Sequence, residues 1–439
     1  MATKKIEEEK KSNKKTPNKE VKTSKKVEKL NDNHEKEQNP IISIIELLLI
    51  IAFVVIVLVF FPNTVIWNIT ALLLMLSILI FVHEGGHFII GKKCGVHIYE
   101  FALGMGPKVL GFRRKNDPTE YTLRAFPIGG YCAMAGEEGE DDANLAKDKF
   151  MCNKPKLQRV AILVAGVTMN FITAILLLFF ISLVWGNTQQ ESIIGKVEKD
   201  SPAAQANIQA GDKVISLNGY NIDTWDRIAI VSLLKNKNDY FEYKIEHPDG
   251  KVETIKIVPN EYVTIDDKRE YITDDNTLSD IAKKYHKKES DLTVNKYIGI
   301  SQSTKRYHGV WNAIKYAFKK FVTVVDTMLL TIGSLFTGKL GLSALSGPVG
   351  MYSVVGQVAK YGFANMLFLT AYLSINLGVM NILPFPAFDG GRVLFVIIEA
   401  ITRKKVDSKV ENWFHTIGFI LLMILMLVIT CKDVINIFN

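Results

Sequence analysis

Cysteine is scarce in this 439-residue chain. The four residues are Cys94, Cys132, Cys152 and Cys431, and none falls in the polar stretch 187–362. A domain in that stretch has no disulfide to hold it and must rely on its own core. There is no CxxC pair, and Cys94 with His97 alone is too little for a structural zinc site. Basic and aromatic residues are nowhere interleaved as a single-strand nucleic-acid groove requires, so a net charge of +8 does not indicate a nucleic-acid partner. No small-residue cleavage site follows the first apolar run, which is therefore read as an anchor and not as a removable signal peptide.

What the chain does have is apolar runs. Hydrophobic residues make up 48% of it, concentrated in blocks rather than spread at helical or strand period. Ile41–Phe61, Val65–Val82, Val160–Trp185 and Phe419–Thr430 with its flanks have or approach the length that crosses a hydrocarbon core. A fifth run, Met366–Phe388, is broken by Asn376, Asn381, Pro384 and Pro386. Lys and Arg cluster beside these runs: Lys92, Lys93, Lys108 and Arg113–Lys115 in one loop, Arg392 and Arg403–Lys405 in another. With the basic tail inside, five spans satisfy the positive-inside pattern at every short loop and put 187–362 outside. Phe321–Phe336 is interrupted by Asp326 and preceded by Lys315, Lys319 and Lys320, so it reads as an interfacial amphipathic helix.

The expected fold class is an α-helical polytopic membrane protein of about five transmembrane helices with an inserted extracytoplasmic α+β domain. Residues 1–40 carry 12 Lys against 8 Asp or Glu and almost no large apolar side chains, so a disordered cytoplasmic tail is expected. Residues 41–62 form an anchor and 63–186 the first part of a membrane core. Then come a β-rich domain at 187–262, a polar insertion at 263–309 and an interfacial segment at 310–362. The second part of the core is 363–439.

The sharpest signal is His83-Glu84-Gly85-Gly86-His87. Histidines at i and i+4 share one helix face, so both imidazoles reach one metal, and Glu84 is placed to take a proton from an activated water. The bland alternative is a set of helix-end residues snorkelling to the interface. A catalytic zinc needs a third protein ligand, and the second membrane acid is Asp389, followed by Gly390-Gly391-Arg392. Prolines and paired glycines before and after it imply broken helix, tolerated at membrane depth where it is buried or lines a cavity. The competing assignment pairs Asp389 with Arg392 at a helix end.

Several further motifs follow in order: Phe101-Ala-Leu-Gly-Met-Gly-Pro107, Pro127-Ile-Gly-Gly-Tyr131 with Met134-Ala-Gly-Glu137, Ser346-Gly-Pro-Val-Gly350, and Asn376-Leu-Gly-Val-Met-Asn381 leading to Phe388-Asp-Gly390. Together with the histidine motif they resemble the site-2 protease family of intramembrane zinc metalloproteases, in its bacterial regulatory branch with a PDZ domain. The resemblance implies one Zn2+ held by His83, His87 and Asp389, with Glu84 as catalytic base. It implies that Asn376, Asn381, Pro384 and Pro386 position the substrate backbone. It further implies a bacterial cytoplasmic membrane, and transmembrane protein substrates of the anti-sigma-factor or signal-peptide-remnant kind. Phe388 and Arg392 depart from the family's usual leucine and histidine, and the run at 41–61 adds to its usual four spans.

Gly195–Ala204 and Gly211–Gly219 look like parts of one PDZ domain, which captures an extended chain as an added strand; a plug or filter over the active site is the alternative. Residues 271–295 match only the first half of a LysM motif, and no glycan binding is inferred. Alternation through Tyr121, Leu123 and Ala125, followed by Gly129-Gly130, suggests a β-hairpin at the inner face whose edge could hold an unwound substrate. A metal transporter is the main rival from another class, but Val160–Trp185 offers little beyond Asn170 and Thr173. A proteolytically dead PDZ chaperone would be expected to lack Glu84 or a ligand, and none is missing.

Overall fold

The computed structural model describes residues 64–137, 144–188, 190–234, 239–265, 268–272, 277–285, 292, 294–341 and 345–438. The tail at 1–40 and the anchor at 41–62 lie outside the described residues. Among those described, four helices are long and apolar enough to cross a membrane. They are α1 (Thr64–Lys93), α2 (Lys156–Trp185), α8 (Phe363–Ile382) and α10 (Ser408–Phe438). Leu74 and Ile78 of α1, Leu176 and Phe180 of α2, and Leu421, Ile424 and Leu427 of α10 are exposed, as apolar side chains facing lipid would be.

Helix α2 is the hub, packed against α1 on one side and α8 on another. It buries small residues, Ala165, Gly166 and Ala174, which let neighbouring backbones come close. Its N-terminal end is fastened by a buried ion pair, Arg159 Nη1 to Glu399 Oε2 at 2.5 Å. Glu399 belongs to α9 (Asp389–Thr402), which begins after a non-helical turn at 383–388. The broken fifth run is therefore broken where its prolines stand.

After α1 the chain forms β1 (Ile98–Arg113) and β2 (Glu120–Met134). The hairpin expected from the alternation at Tyr121–Ala125 and Gly129-Gly130 is instead one long strand, β2, and its partner β1 falls in what was read as a charged inner loop. Both strands bend and pair twice. Leu103 lies between Gly130 on one side and Leu123 on the other, and Leu110 pairs with Leu123 again. The result is an antiparallel ribbon four strand segments wide, with Gly130–Met134 at one edge. Gly104 makes the bend possible: its φ is +88°, and a Cβ there would sit 2.6 Å from the Phe126 carbonyl oxygen.

The polar stretch begins with β3 (Asn187–Thr188), β4 (Ile194–Val197), α3 (Pro202–Gln205), β5 (Lys213–Leu217) and β6 (Tyr220–Asn221). It continues with α4 (Trp225–Leu233), β7 (Phe241–Glu246) and β8 (Val252–Ile257). A sheet in the order β6-β5-β7-β8 closes over Val214, Leu217, Tyr243 and Ile245. The insertion contributes β9 (Asn260–Ile265), β10 (Lys268–Ile272), α5 (Thr277–Lys284) and β11 (Val294–Tyr297), in a separate sheet of order β10-β9-β11. Then β12 (Ile300–Gln302) returns to pair with β4, and β13 (Arg306–Tyr307) pairs with β3. The boundary expected at residue 262 does not coincide with the strand pairing, which runs on to Tyr307 because the closing strands come after the insertion.

Helix α6 (Val310–Phe336) is not among the four span candidates. Phe321 stacks edge-on against Phe171 of α2 at 5.2 Å, while Leu330 packs on the sheet core. Lys320 Nζ reaches Asp226 at 2.5 Å and Asp326 pairs with Arg227, so α6 joins the sheet unit to the membrane helices. Helix α7 (Pro348–Lys360) follows and packs along α1.

Candidate active site

Helix α1 carries His83 and His87 on the face turned to α2, both buried. Gly86 makes this approach possible, because a Cβ there would overlap the Ala165 carbonyl. Gly85 does something different: its missing side chain faces open space. Gly166 completes the contact from the other helix, since a Cβ on it would lie 2.8 Å from His83 Nε2 and overlap His87 Nε2. Of the two glycines in the histidine motif only Gly86 provides close approach, and Gly166 was not singled out by the sequence.

The ring tautomers are set from α2. His87 Nδ1 donates to the Ile162 carbonyl oxygen at 2.8 Å, which leaves Nε2 with a lone pair facing His83. His83 Nδ1 lies 3.1 Å from the side-chain amide of Asn170. Asn170 is fully buried and its other amide atom has no partner among the described residues. As placed, Nδ2 faces the ring; a half-turn of the amide, which gives the unpaired Oδ1 a partner, makes Asn170 the acceptor from Nδ1 and frees His83 Nε2 in the same way.

Asp389 comes from the first turn of α9. Gly390 sits over the last carbonyls of α8, and a Cβ on Gly391 would lie 2.5 Å from Phe385 O. The two glycines thus let α9 start hard against the end of α8, which turns Asp389 inward. Its Oδ2 is 3.1 Å from His83 Nε2 and 3.4 Å from His87 Nε2, and the two Nε2 atoms are 3.2 Å apart. Three ligand atoms on a tetrahedral zinc, with bonds of about 2.0–2.1 Å, stand about 3.3 Å from one another. The observed triangle fits that spacing. Asp389 Oδ2 is buried without a hydrogen-bond partner among the described residues, as a metal-facing oxygen is. Glu84 is half-buried beside this triangle, close enough for its charge to act on His83, His87 and Asp389.

The other expected residues fall around this centre. Asn381 Nδ2 is 3.4 Å from His83 Nε2. Asn376 Oδ1 is buried without a partner among the described residues. Pro384 and Pro386 form the turn between α8 and α9. Gly130 lies against α1, where a Cβ would come 3.6 Å from Ile80, one turn before His83; Gly129 next to it has φ +90°. The ribbon is fixed to α1 by Ser77 Oγ donating to Pro127 O at 2.6 Å and by the Lys92–Asp117 ion pair. Burial works to raise the Asp117 carboxyl, but Lys92, the Thr119 N–H and the Tyr121 hydroxyl outweigh it and hold it down to about 2. Within the ribbon Glu100 takes Arg124 at 2.7 Å, Tyr131 at 2.6 Å and Thr122 at 2.5 Å. Burial also opposes ionisation of Glu100, and these three donors overcome it and lower its pKa.

Two buried histidines, a carboxylate and a neighbouring glutamate inside a bundle of membrane helices define a membrane metallohydrolase. Comparison with known proteins makes the class specific. The profile of peptidase family M50 matches residues 71–425. A Clostridium acetobutylicum protein, provisionally named a zinc metalloprotease, is 35% identical over 84% of this chain and 98% of its own length. The zinc metalloprotease RasP of Bacillus licheniformis is 31% identical over 86% of this chain and all of its own. The regulator of sigma-W protease RasP of Bacillus subtilis is 30% identical over the same shares. The chain belongs to peptidase family M50, the site-2 type of zinc metalloprotease, and acts as a zinc-dependent intramembrane endopeptidase.

Proposed function

We propose that His83, His87 and Asp389 hold the zinc, that Glu84 is the general base, and that the substrate is a transmembrane protein cut in regulated proteolysis. The observation that carries this reading is the triangle of donor atoms at tetrahedral spacing, with Glu84 next to it. Zinc bound there lowers the pKa of water toward neutrality and polarises a peptide carbonyl. Glu84 takes a proton from the attacking water and later delivers it to the leaving amine. Asn170 and the Ile162 carbonyl hold the two imidazoles in the tautomer that offers Nε2. A transmembrane substrate hides its peptide bonds in helical hydrogen bonds, so it must unwind. The edge Gly130–Met134, beside α1, offers backbone groups to pair with the unwound segment, and Asn376, Asn381 and the Pro384–Pro386 turn serve as further contacts to its backbone.

Residues 187–307 act as a PDZ-like unit on the outer side of a bacterial cytoplasmic membrane, with the tail inside. Support comes from the Lys and Arg counting and from the sheet-plus-helix core around β4, β5 and α4. A relative named as a regulator of sigma-W protease makes anti-sigma-type membrane proteins the first substrates to try. The test is cleavage of a single-pass substrate by purified enzyme in liposomes, with the cut mapped by mass spectrometry. A cut inside the apolar segment, stopped by a zinc chelator and restored by zinc, is expected. Cleavage only in the soluble flanks, or cleavage that survives chelation, would sink the reading.

A further inference from the structure

The turn that delivers Asp389 is held from outside by the last helix. Ala387, two residues before Asp389, has φ +70°, a left-handed conformation that a side chain with a Cβ adopts unwillingly. Its N–H donates to His415 Nδ1 on α10 at 3.0 Å. One turn along, Gly418 is bare where the Pro386 ring lies, and a Cβ there would overlap that ring. A Cβ on Gly391 would come within 3.1 Å of His415 Cε1, so the imidazole packs directly on the start of α9. Because Nδ1 accepts, the ring is the Nε2–H tautomer, and Nε2 is buried without a partner among the described residues.

We infer that His415 is a positioning residue for Asp389: its Nδ1 holds Ala387 in the left-handed turn and thereby aims the carboxylate at His83 and His87. Without that acceptor Ala387 relaxes toward negative φ, and the backbone carrying Phe388 and Asp389 rotates with it. Pro386 cannot absorb the change, because its own φ is locked by the ring. The inference rests on Asp389 being a zinc ligand, as proposed above.

The experiment measures zinc affinity of the purified full-length protein by chelator competition, and the visible spectrum of its cobalt(II) form. His415→Phe keeps the ring and removes the acceptor. It should weaken zinc about ten- to a hundredfold, as loss of an outer-shell partner does, and alter the cobalt bands. His415→Asn puts an amide oxygen where Nδ1 stood and should stay within about threefold of the wild type with an unchanged spectrum. Melting of the metal-free proteins reports folding separately. If His415→Phe does not fold, His415→Gln replaces it. Its acceptor sits one bond too far out, and it should bind zinc more weakly than His415→Asn. Wild-type affinity in His415→Phe, or equal affinity in the Asn and Gln variants, overturns the inference. Asp389→Asn separates the two levels: if that variant binds zinc normally, the ligand assignment itself fails, and if it loses zinc while His415→Phe does not, only the positioning role fails.

Discussion

Arg392 follows Asp389 by one turn of helix, yet its guanidinium pairs with Glu137, at the end of the β ribbon. The sequence left two partners open for Asp389, and the geometry turns it to the histidines instead. Asp389→Asn is therefore expected to lose most bound zinc and activity. Arg392→Ala should keep its zinc and loosen the ribbon from α9. Elemental analysis of the purified variants, with limited proteolysis around residue 137, checks both. Equal zinc loss in the two would return Asp389 to a structural role.

Glu84→Gln should reduce cleavage by about 10²–10⁴ while zinc stays bound, because a neutral amide cannot take the proton. Single-turnover assays on zinc-loaded protein are the measurement. Normal turnover would remove Glu84 from the chemistry.

Asp433, buried on α10, accepts from Gly347 N at 2.7 Å and Gly350 N at 2.9 Å. It caps the N-terminus of α7 from another helix, meeting both the free N–H groups and the positive end of the dipole. Asp433→Ala should cost about 1–2 kcal/mol, seen as a lower melting temperature in detergent, with Asp433→Asn milder. An unchanged melt in Asp433→Ala would refute the cap.

In the sheet unit, His247 bridges Asp212 at 2.8 Å and Glu253 at 3.0 Å. Glu253 and Asp212 raise the His247 pKa above 6.5. The stabilisation is complete below that value and is lost as pH rises through the folded pKa. Glu253, lowered by His247, behaves oppositely and loses its share as pH falls. Hydrogen exchange in β7 and β8, corrected for intrinsic rates, should show less protection at pH 9 than at pH 6. His247→Gln should flatten the difference; the same pH response in that variant would rule out His247 as its source.

The candidate metal site drew attention in the sequence because its chemistry is expensive in a membrane. His83, Glu84 and Asp389 are ionisable groups on apolar runs, and that cost marks them without any fold. Gly166 and His415 were not legible, since a glycine in a membrane helix and a histidine near a helix end are ordinary until the facing helix is known. The ribbon was half-read: β2 alternates, whereas β1 is broken by glycines and charges that only its double pairing explains. The sheet unit's extent was misjudged for a related reason. Strand β12 follows an insertion with its own core around Val263, Ile265 and Ile281, and local pattern does not reveal which distant strand a three-residue segment will join.

The grip of α10 on the Ala387 turn has a consequence for biosynthesis. On the ligand set proposed above, the two histidines are made first, while the third donor and the helix that aims it follow about 300 residues further along the chain. A nascent chain therefore carries an incomplete metal centre until α9 and α10 have both been made. Competence arrives in one late step, when α10 docks, so partial or truncated products remaining in the membrane are inert toward their neighbours.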